Sequence, residues 1–537
     1  MRRIFTTAAT AFLAVLILGQ SFECGADEVA DAREILKQAV RIMASPQYLG
    51  SKSEPLMLIV GLLAKADDLE GALNMTAGVE QHYQRIGLYG KIAETRADMN
   101  DMAGVLKVLD LIQADADYIA SKNPGLPPGI YKAGVLKNIT RTQARAGNIK
   151  TAQEAFALID FERVDSRDSF TERFHLLNEI ALAQARKKDA KAALKTVEAL
   201  PSGYKARLMP GIARVIAENG DIDGALEIAA MVPATSSKAD ALLSIVEALI
   251  RNGDQKRAKE IMQTTLQFLS NPADQGGGQY PQENILIRLA AAQEMIGEGQ
   301  SAATTAMTLS DKPNPSIGSP RDRALQKIAV ARAEAKDKKG ALETATTIQD
   351  AKVKNSTLKD IASRLAQAGN VEGSLDVIRT IQLSYWKADT IAAIAKYASV
   401  ASDIKVVYPE IETIQREGDK AMALQAVVEV LARAGNVKDA IQVGSRIQTE
   451  NYRSNVFNRI AIAQVRAGDI AAAFQTAAGI GGEYKYSTVR EMTRVLTEAG
   501  NAKGAISWAN DLPKLMPKEK VFALVGVAEG ILQRQKK

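Results

Sequence analysis

Few side chains in this chain are of the kind that perform covalent chemistry. Its 537 residues hold two histidines, His82 and His175, and one cysteine, Cys24. His82 lies in Gln-His-Tyr-Gln-Arg and His175 in Arg-Phe-His-Leu-Leu. Neither has a second histidine at metal-ligand spacing, so both read as surface or junction residues and no metal is implied. Gly276-Gly277-Gly278 lacks a following Lys-Ser/Thr, so it reads as a flexible loop rather than a phosphate cradle. There is no dinucleotide fingerprint and no nucleophile elbow. Carboxylates abound, but no pair is set apart for acid–base work. Neither catalysis nor a cofactor is expected.

What does recur is a cation beside an aromatic ring: Tyr131-Lys132, Tyr204-Lys205, Trp386-Lys387, Tyr452-Arg453 and Tyr484-Lys485. These pairs belong to a longer basic series: Lys52, Arg85, Lys132, Arg173, Lys205, Lys238, Arg321, Lys354, Lys387, Lys420, Arg453 and Lys485, with Gln282 as the one exception. Lys520 repeats the pattern near the end. Each lies just before a helical run, where a cation is electrostatically unfavourable. Two explanations compete. The side chain can turn back to the free carbonyls of the preceding helix, a contact worth about 0.3–1 kcal/mol, and cover the joint with its stem. Alternatively, the series is a positive line with interleaved rings, suited to an acidic peptide or an anionic polysaccharide.

The elements that position this series repeat along nearly the whole chain. The clearest copy of the phrase is Ala434 to Ile447, A-G-N-V-K-D-A-I-Q-V-G-S-R-I. Its second residue has equivalents at Asp67, Asn100, Gly147, Lys188, Gly220, Gly253, Gly297, Lys336, Gly369, Ser402, Gly435, Gly468 and Gly500. The base interval is 33 residues, with longer intervals of 47, 41, 44 and 39. Asp or Asn follows this turn residue in twelve of the thirteen copies, Glu298 being the exception. Glycine closing one helix in the left-handed region, then Asx capping the next, is a helix–turn–helix signature. Five residues past the turn residue, Ala stands in ten of thirteen copies, the others being Val105, Ser374 and Val407. Eight before it, every copy is Ile, Leu, Val or Met, and eleven before it every copy is apolar. Those spacings mark one buried face per helix, which a lone hairpin cannot cover, so neighbours must stack.

The unit resembles the tetratricopeptide repeat: paired antiparallel helices, a Gly-Asx turn, Ala in the second helix and a period near 34. Leu358, Ile361, Ala362, Leu365, Gly369 and Asn370 carry the match, which runs from about Leu56 to the end. The tryptophan and tyrosine of that family's first helix are mostly aliphatic here, and its proline between units is mostly absent. The resemblance implies an all-α solenoid of about thirteen antiparallel hairpins in a right-handed superhelix, holding protein segments or peptides. Residues 51–519 would form the repeats, 27–50 an N-terminal capping helix, and 520–537 a C-terminal capping helix and polar tail that solvates the last unit. Pro- and Gly-rich inserts from Asn123, Asn271 and Asp311, and a polar one from Phe161, fall at the same kind of joint and should share one rim.

The start reads as an export signal. Arg2-Arg3 precedes a short apolar core, Ala11 to Gly19, and Cys24-Gly25-Ala26 offers small residues for cleavage after Ala26. Ser21-Phe22-Glu23 departs from a lipobox, which disfavours lipidation of Cys24, and the flanks of Arg2-Arg3 are incomplete for a twin-arginine signal. A periplasmic or secreted protein is expected, with no membrane span in its mature part. The formal charge of +6 and a charged fraction of 24% permit an acidic partner but argue against a nucleic acid. The expected role is a non-catalytic scaffold for proteins or peptides, the alternative a binder of cell-wall glycan or another anionic polysaccharide.

Overall fold

The computed structural model describes residues 26–534 except 50, 124, 128, 162–168, 199, 233–235, 270–278, 398–403 and 512–515. Residues 1–25 of the expected export segment, the triple glycine at 276–278 and the turn residue Ser402 lie outside the described residues. Every described turn residue has a positive φ, from 59° at Asp67 to 96° at Gly500. At each of these turns the following amide reaches back to close the helix, as Asp221 N does to the Ile216 carbonyl at 3.2 Å and Asn370 N to Leu365 at 2.8 Å. The Asx side chain then caps the next helix. Asp68, Asp101, Asp221, Asp337, Asn370 and Asn501 each accept from the amide three residues on at 2.9 Å. Asn148, Glu298 and Asn436 make no such bond. Asn148 instead donates to Gln143 Oε1 at 2.8 Å.

The two apolar positions fill the core as expected. The residues eight before the turn, from Ile59 to Met492, are all buried. So are those five after it, including the non-alanine Val105, Ser374 and Val407. Ser374 remains compatible because its hydroxyl donates to the Ala362 carbonyl at 2.8 Å. Burying each large aliphatic side chain contributes roughly 1.5–3 kcal/mol. The small residue lets the second helix sit close against the first. Within each unit many first helices also pack on the first helix of the next hairpin, as Ser202–Glu218 does on Ser236–Arg251 and Ala351–Gln367 on Ser384–Ala395. The architecture is an all-α helical-repeat solenoid.

The chain divides into two compact units, one of Met1–Val135 with Ala398–Lys537, the other of Leu136–Tyr397. Within the second, one core runs from Phe174 to Ala292 through successive hairpins, with a separate cluster around Ile328. Within the first, the first and last described helices meet. Helix Ala26–Ala44 packs on helix Pro517–Arg534, which also packs on Tyr484–Glu498. The last helix therefore does not solvate the array. Val521 to Ala528, with Gly530, Ile531 and Leu532, are buried beneath its neighbours. Gly526 and Gly530 permit the approach, since an added Cβ would lie 2.1 Å from the Arg490 carbonyl and 2.7 Å from that of Arg494. The hydroxyl of Thr493 donates to Ala523 O at 2.9 Å across the same contact.

Candidate binding rim

The basic series sits where one hairpin passes into the next, and much of it turns back to the helix it follows. In the first unit Arg85 Nη1 donates to Val79 O at 2.8 Å and Lys520 Nζ to Asn510 O at 3.2 Å. In the second, Arg321 Nη2 donates to Leu309 O at 3.1 Å and Lys354 Nζ to Thr346 O at 3.3 Å. Gln282 does the same, Nε2 to Leu269 O at 3.4 Å. Others lean on rings or carboxylates: Lys238 over Phe268 at 5.2 Å, Arg173 over Phe161 at 5.9 Å, Lys420 against Glu412 at 2.7 Å. The bonds to Val79, Asn510, Leu309, Thr346 and Leu269 satisfy carbonyls near helix ends, where a cation is favourable.

The five cation–aromatic pairs are divided between the units. In the first, Tyr131 meets Tyr83 edge-on at 6.0 Å, Lys132 and Tyr452 are half-buried, and Arg453 and Tyr484 are exposed. Lys485 faces Glu519 at 3.4 Å. In the second, Tyr204 packs edge-on against Phe174 at 5.0 Å beside half-buried Lys205. Trp386, next to half-buried Lys387, lies beneath Lys359, whose Nζ is 5.8 Å from its ring. The rings of Tyr131, Tyr204 and Trp386 thus lean on the preceding first helix and remain partly exposed.

His82 belongs to a joint. Its Nδ1 lies 2.6 Å from Asp115 Oδ1, and its ring stacks on Tyr118 at 3.9 Å. Arg85 Nε donates to Asp115 Oδ2 at 2.9 Å. Burial alone would push the Asp115 carboxyl up, but its bonds from Arg85 and His82 outweigh this and hold it below the usual carboxylate range. His175 is exposed, with its ring edge-on to Phe174 at 5.3 Å.

The same rim carries apolar side chains that sequence reasoning did not single out. Met231 ends helix Ile222–Met231, Met307 lies at the end of Gly299–Thr308, and Leu383 precedes Ser384–Ala395. Ile317 stands in the insert before Pro320–Glu334. These four expose 48–62% of their surface, and Tyr385 beside Leu383 is half-exposed. All lie in the Leu136–Tyr397 unit. Singly scattered apolar residues are ordinary, but these four stand at three joints between a second helix and the next first helix: Met231 and Met307 at the end of the second helix, Ile317 in the insert, and Leu383 just before the first helix. The Ile317 insert is built to hold its tip. Asn314 Oδ1 accepts from Ser316 N at 2.9 Å, and Asn314 O accepts from Gly318 N at 2.8 Å. Gly318 takes φ 75°, where a Cβ would strike Val353. Beneath it the buried Asp322 carboxylate accepts the amides of Gln349 and Asp350, each at 3.0 Å, tying this joint to the next.

Much of the charge on the first helices is paired between neighbouring hairpins. Arg145 meets Glu179 at 2.6 Å, Arg251 meets Glu218 at 2.9 Å, and Arg364 meets Glu334 at 3.0 Å. Arg288 meets Glu247 at 2.8 Å and also pairs with Asp240. A second polar pairing closes individual hairpins: Thr196 donates to Gln184 at 2.7 Å and Thr305 to Gln293 at 2.8 Å. Both pairs have the same twelve-residue separation, a spacing visible in the sequence once the turn is known. Among the described residues, no helix is long and apolar enough to cross a membrane.

No protein-family model and no curated protein matches the chain. Solved structures that it resembles loosely include a helical-repeat protein. The pentatricopeptide repeat protein PPR10 from maize aligns over 91% of this chain and 88% of its own, at 12% identity and a TM-score of 0.26. The APC/C hetero-tetramer Cut9-Hcn1 aligns over 91% and 94%, at 10% identity and a TM-score of 0.23. Ton1535 from Thermococcus onnurineus NA1 aligns over 81% and 97%, at 16% identity and a TM-score of 0.20. Superpositions this loose carry no functional argument, and the repeat architecture rests on the chain's own hairpins.

Proposed function

We propose that this chain is an exported, non-catalytic repeat scaffold that holds a protein segment along the rim where its hairpins join. The observation that carries this reading is that Met231, Met307, Ile317 and Leu383 stand half-exposed at three hairpin joints of one unit. Thioether and aliphatic side chains adapt to apolar groups of a peptide. They offer no flat face to a sugar ring. The basic series beside them favours acidic residues in the bound segment. Export rests on the Arg2-Arg3 start and the apolar core from Ala11 to Gly19.

The polysaccharide reading has its own support in the other unit, where Tyr83 and Tyr118 are about half-exposed and Tyr484 is exposed beside Lys485. Rings of that kind can stack on sugars, with Lys132, Arg453 and Lys485 meeting carboxylates. The experiment is a comparison of two folded variants, checked by circular dichroism, in capture from envelope extract and in binding of a soluble anionic polysaccharide. One carries Met231→Lys, Met307→Lys and Leu383→Lys; the other carries Lys132→Ala, Arg453→Ala and Lys485→Ala. A protein captured by the native chain and lost with the first variant supports the scaffold. Polysaccharide binding lost only with the second variant, with protein capture unaffected by the first, overturns it.

A further inference from the structure

Helix Pro517–Arg534 has the pattern of a first helix, and its apolar face is covered. Helix Ala26–Ala44 supplies the cover, and it has the sequence of a second helix. In ordinary hairpins the buried positions of the second helix lie five, nine and twelve residues past the turn residue, as in Ala225, Ala229 and Val232, or Ala341, Ala345 and Ile348. Ala32, Leu36 and Ala39 have the same four- and three-residue spacing, and each is fully buried. The next first helix, Ser53–Lys65, also touches Pro517–Arg534, as successive first helices do elsewhere. Helices Pro517–Arg534 and Ala26–Ala44 therefore pack as the two halves of one hairpin although they are far apart in sequence.

This hairpin is held without a covalent turn. Across it Arg534 lies 3.9 Å from Glu28, and Gln38 Nε2 donates at 2.8 Å to Asn510 Oδ1 of the preceding helix, Ala502–Asp511. On the far side Arg33 Nε donates to Ala66 O at 2.8 Å. The covalent link from helix Ala26–Ala44 to helix Ser53–Lys65 is the short stretch of residues 45–52, which includes Pro46. A helix of this sequence from another molecule would make every one of these contacts. The two arrangements differ only in effective concentration and in the conformation of that short tether.

We propose that helix Ala26–Ala44 is an exchangeable strap, and that the surface it covers on Pro517–Arg534 and its neighbours also accepts the strap of a second copy of this chain. Strap exchange then links two chains through contacts already present in one. The chemistry of the partner is specified by the register: an amphipathic helix with Ala, Leu and Ala at the positions of Ala32, Leu36 and Ala39, and an amide donor at Gln38.

The test uses full chains in which the single cysteine, Cys24, is changed to Ser. One carries Gln38→Cys, the other Asn510→Cys, and a third carries both. A short bismaleimide replaces a disulfide, because side chains that meet through a hydrogen bond come from backbones too far apart for direct S–S bonding. The doubly substituted chain should cross-link within itself, which verifies the strap's place. Mixing the two single variants at high concentration should yield a cross-linked heterodimer, identified by a mass tag on one chain, that increases with concentration and with mild warming. A double variant that links internally beside a mixture that never links overturns the exchange. A double variant that fails to link internally overturns the strap itself.

Discussion

Arg85 and Val79 meet at the joint between the first two hairpins, where the guanidinium donates to the last free carbonyl region of the preceding second helix at 2.8 Å. Gln282 makes the corresponding bond to Leu269 without carrying a charge. What this position requires in these units is a long side chain ending in a donor. The positive charge adds a favourable interaction with the helix end, but the bond survives without it.

Replacing Lys354 separates the two contributions. Lys354→Gln should keep the bond to Thr346 and cost only a few tenths of a kcal/mol. Lys354→Met keeps the stem but leaves the carbonyl without its partner, and should cost about 1 kcal/mol. Urea unfolding of the two variants measures the difference. Equal losses would mean that charge or packing, rather than hydrogen bonding, sets the residue type.

The turn residues give a second expectation. Lys188 and Lys336 hold φ of 65° and 66°, a region that opposes a β-carbon. Lys336→Gly should raise stability by about 0.5–1 kcal/mol, the relief of strain exceeding the entropy that glycine adds to the unfolded chain. A lowered thermal midpoint would show that the Lys336 side chain contributes contacts that outweigh its strain.

The repeat was legible because its signals are local. Gly369-Asn370 announces a turn, and Ile361 and Ser374 flank it at fixed distances, so helix register follows from the sequence alone. The Asp311–Pro320 insert was legible as a loop, but not as an ordered tip, because Asn314 and Gly318 meet only after the chain has folded back. The closing of Ala32, Leu36 and Ala39 on the last helix was hidden for another reason. Their spacing is visible, but a second helix is sought after its first helix, and here it precedes the whole array. For the rim, the basic residues stood out by recurrence, whereas Met231 and Leu383 are ordinary apolar residues until their exposure is known.

Acid should loosen specific joints. The unfolded chain takes up protons at ordinary carboxylate values near about 4, while folded Asp115 titrates below its ordinary value. Glu491, held down chiefly by its hydrogen bond from Arg494, behaves alike. Their contribution to stability is present above the ordinary carboxylate pKa and is lost as pH falls through the folded value. Asp360 runs the other way. Burial raises it, so its contribution is present below the ordinary value and is lost as pH rises through the folded one. Asp115→Asn should therefore flatten the acid side of a plot of urea midpoint against pH, and Asp360→Asn should raise stability at neutral pH relative to acid. An acid slope unchanged by Asp115→Asn would place the sensitivity elsewhere.

Two glycines within helices distinguish the close approach at the chain ends from ordinary helix propensity. Gly134 lies inside helix Ile130–Ala146 with nothing within 4 Å of an added Cβ. Gly134→Ala should stabilise by roughly 0.5–1 kcal/mol, because alanine is the better helix former. Gly526 has the same helical setting, but its added Cβ would meet the backbone of Arg490 and the Thr493 hydroxyl, neither of which can rotate away without losing a bond. Gly526→Ala should force helix Pro517–Arg534 off Tyr484–Glu498 and cost about 2 kcal/mol or more. Faster amide exchange in Ala26–Ala44 should accompany the loss, since that helix rests on the displaced one. Opposite signs for one chemical change isolate packing from propensity. If both variants gained stability, the close contact that seats the chain's first helix on its last would be absent in solution.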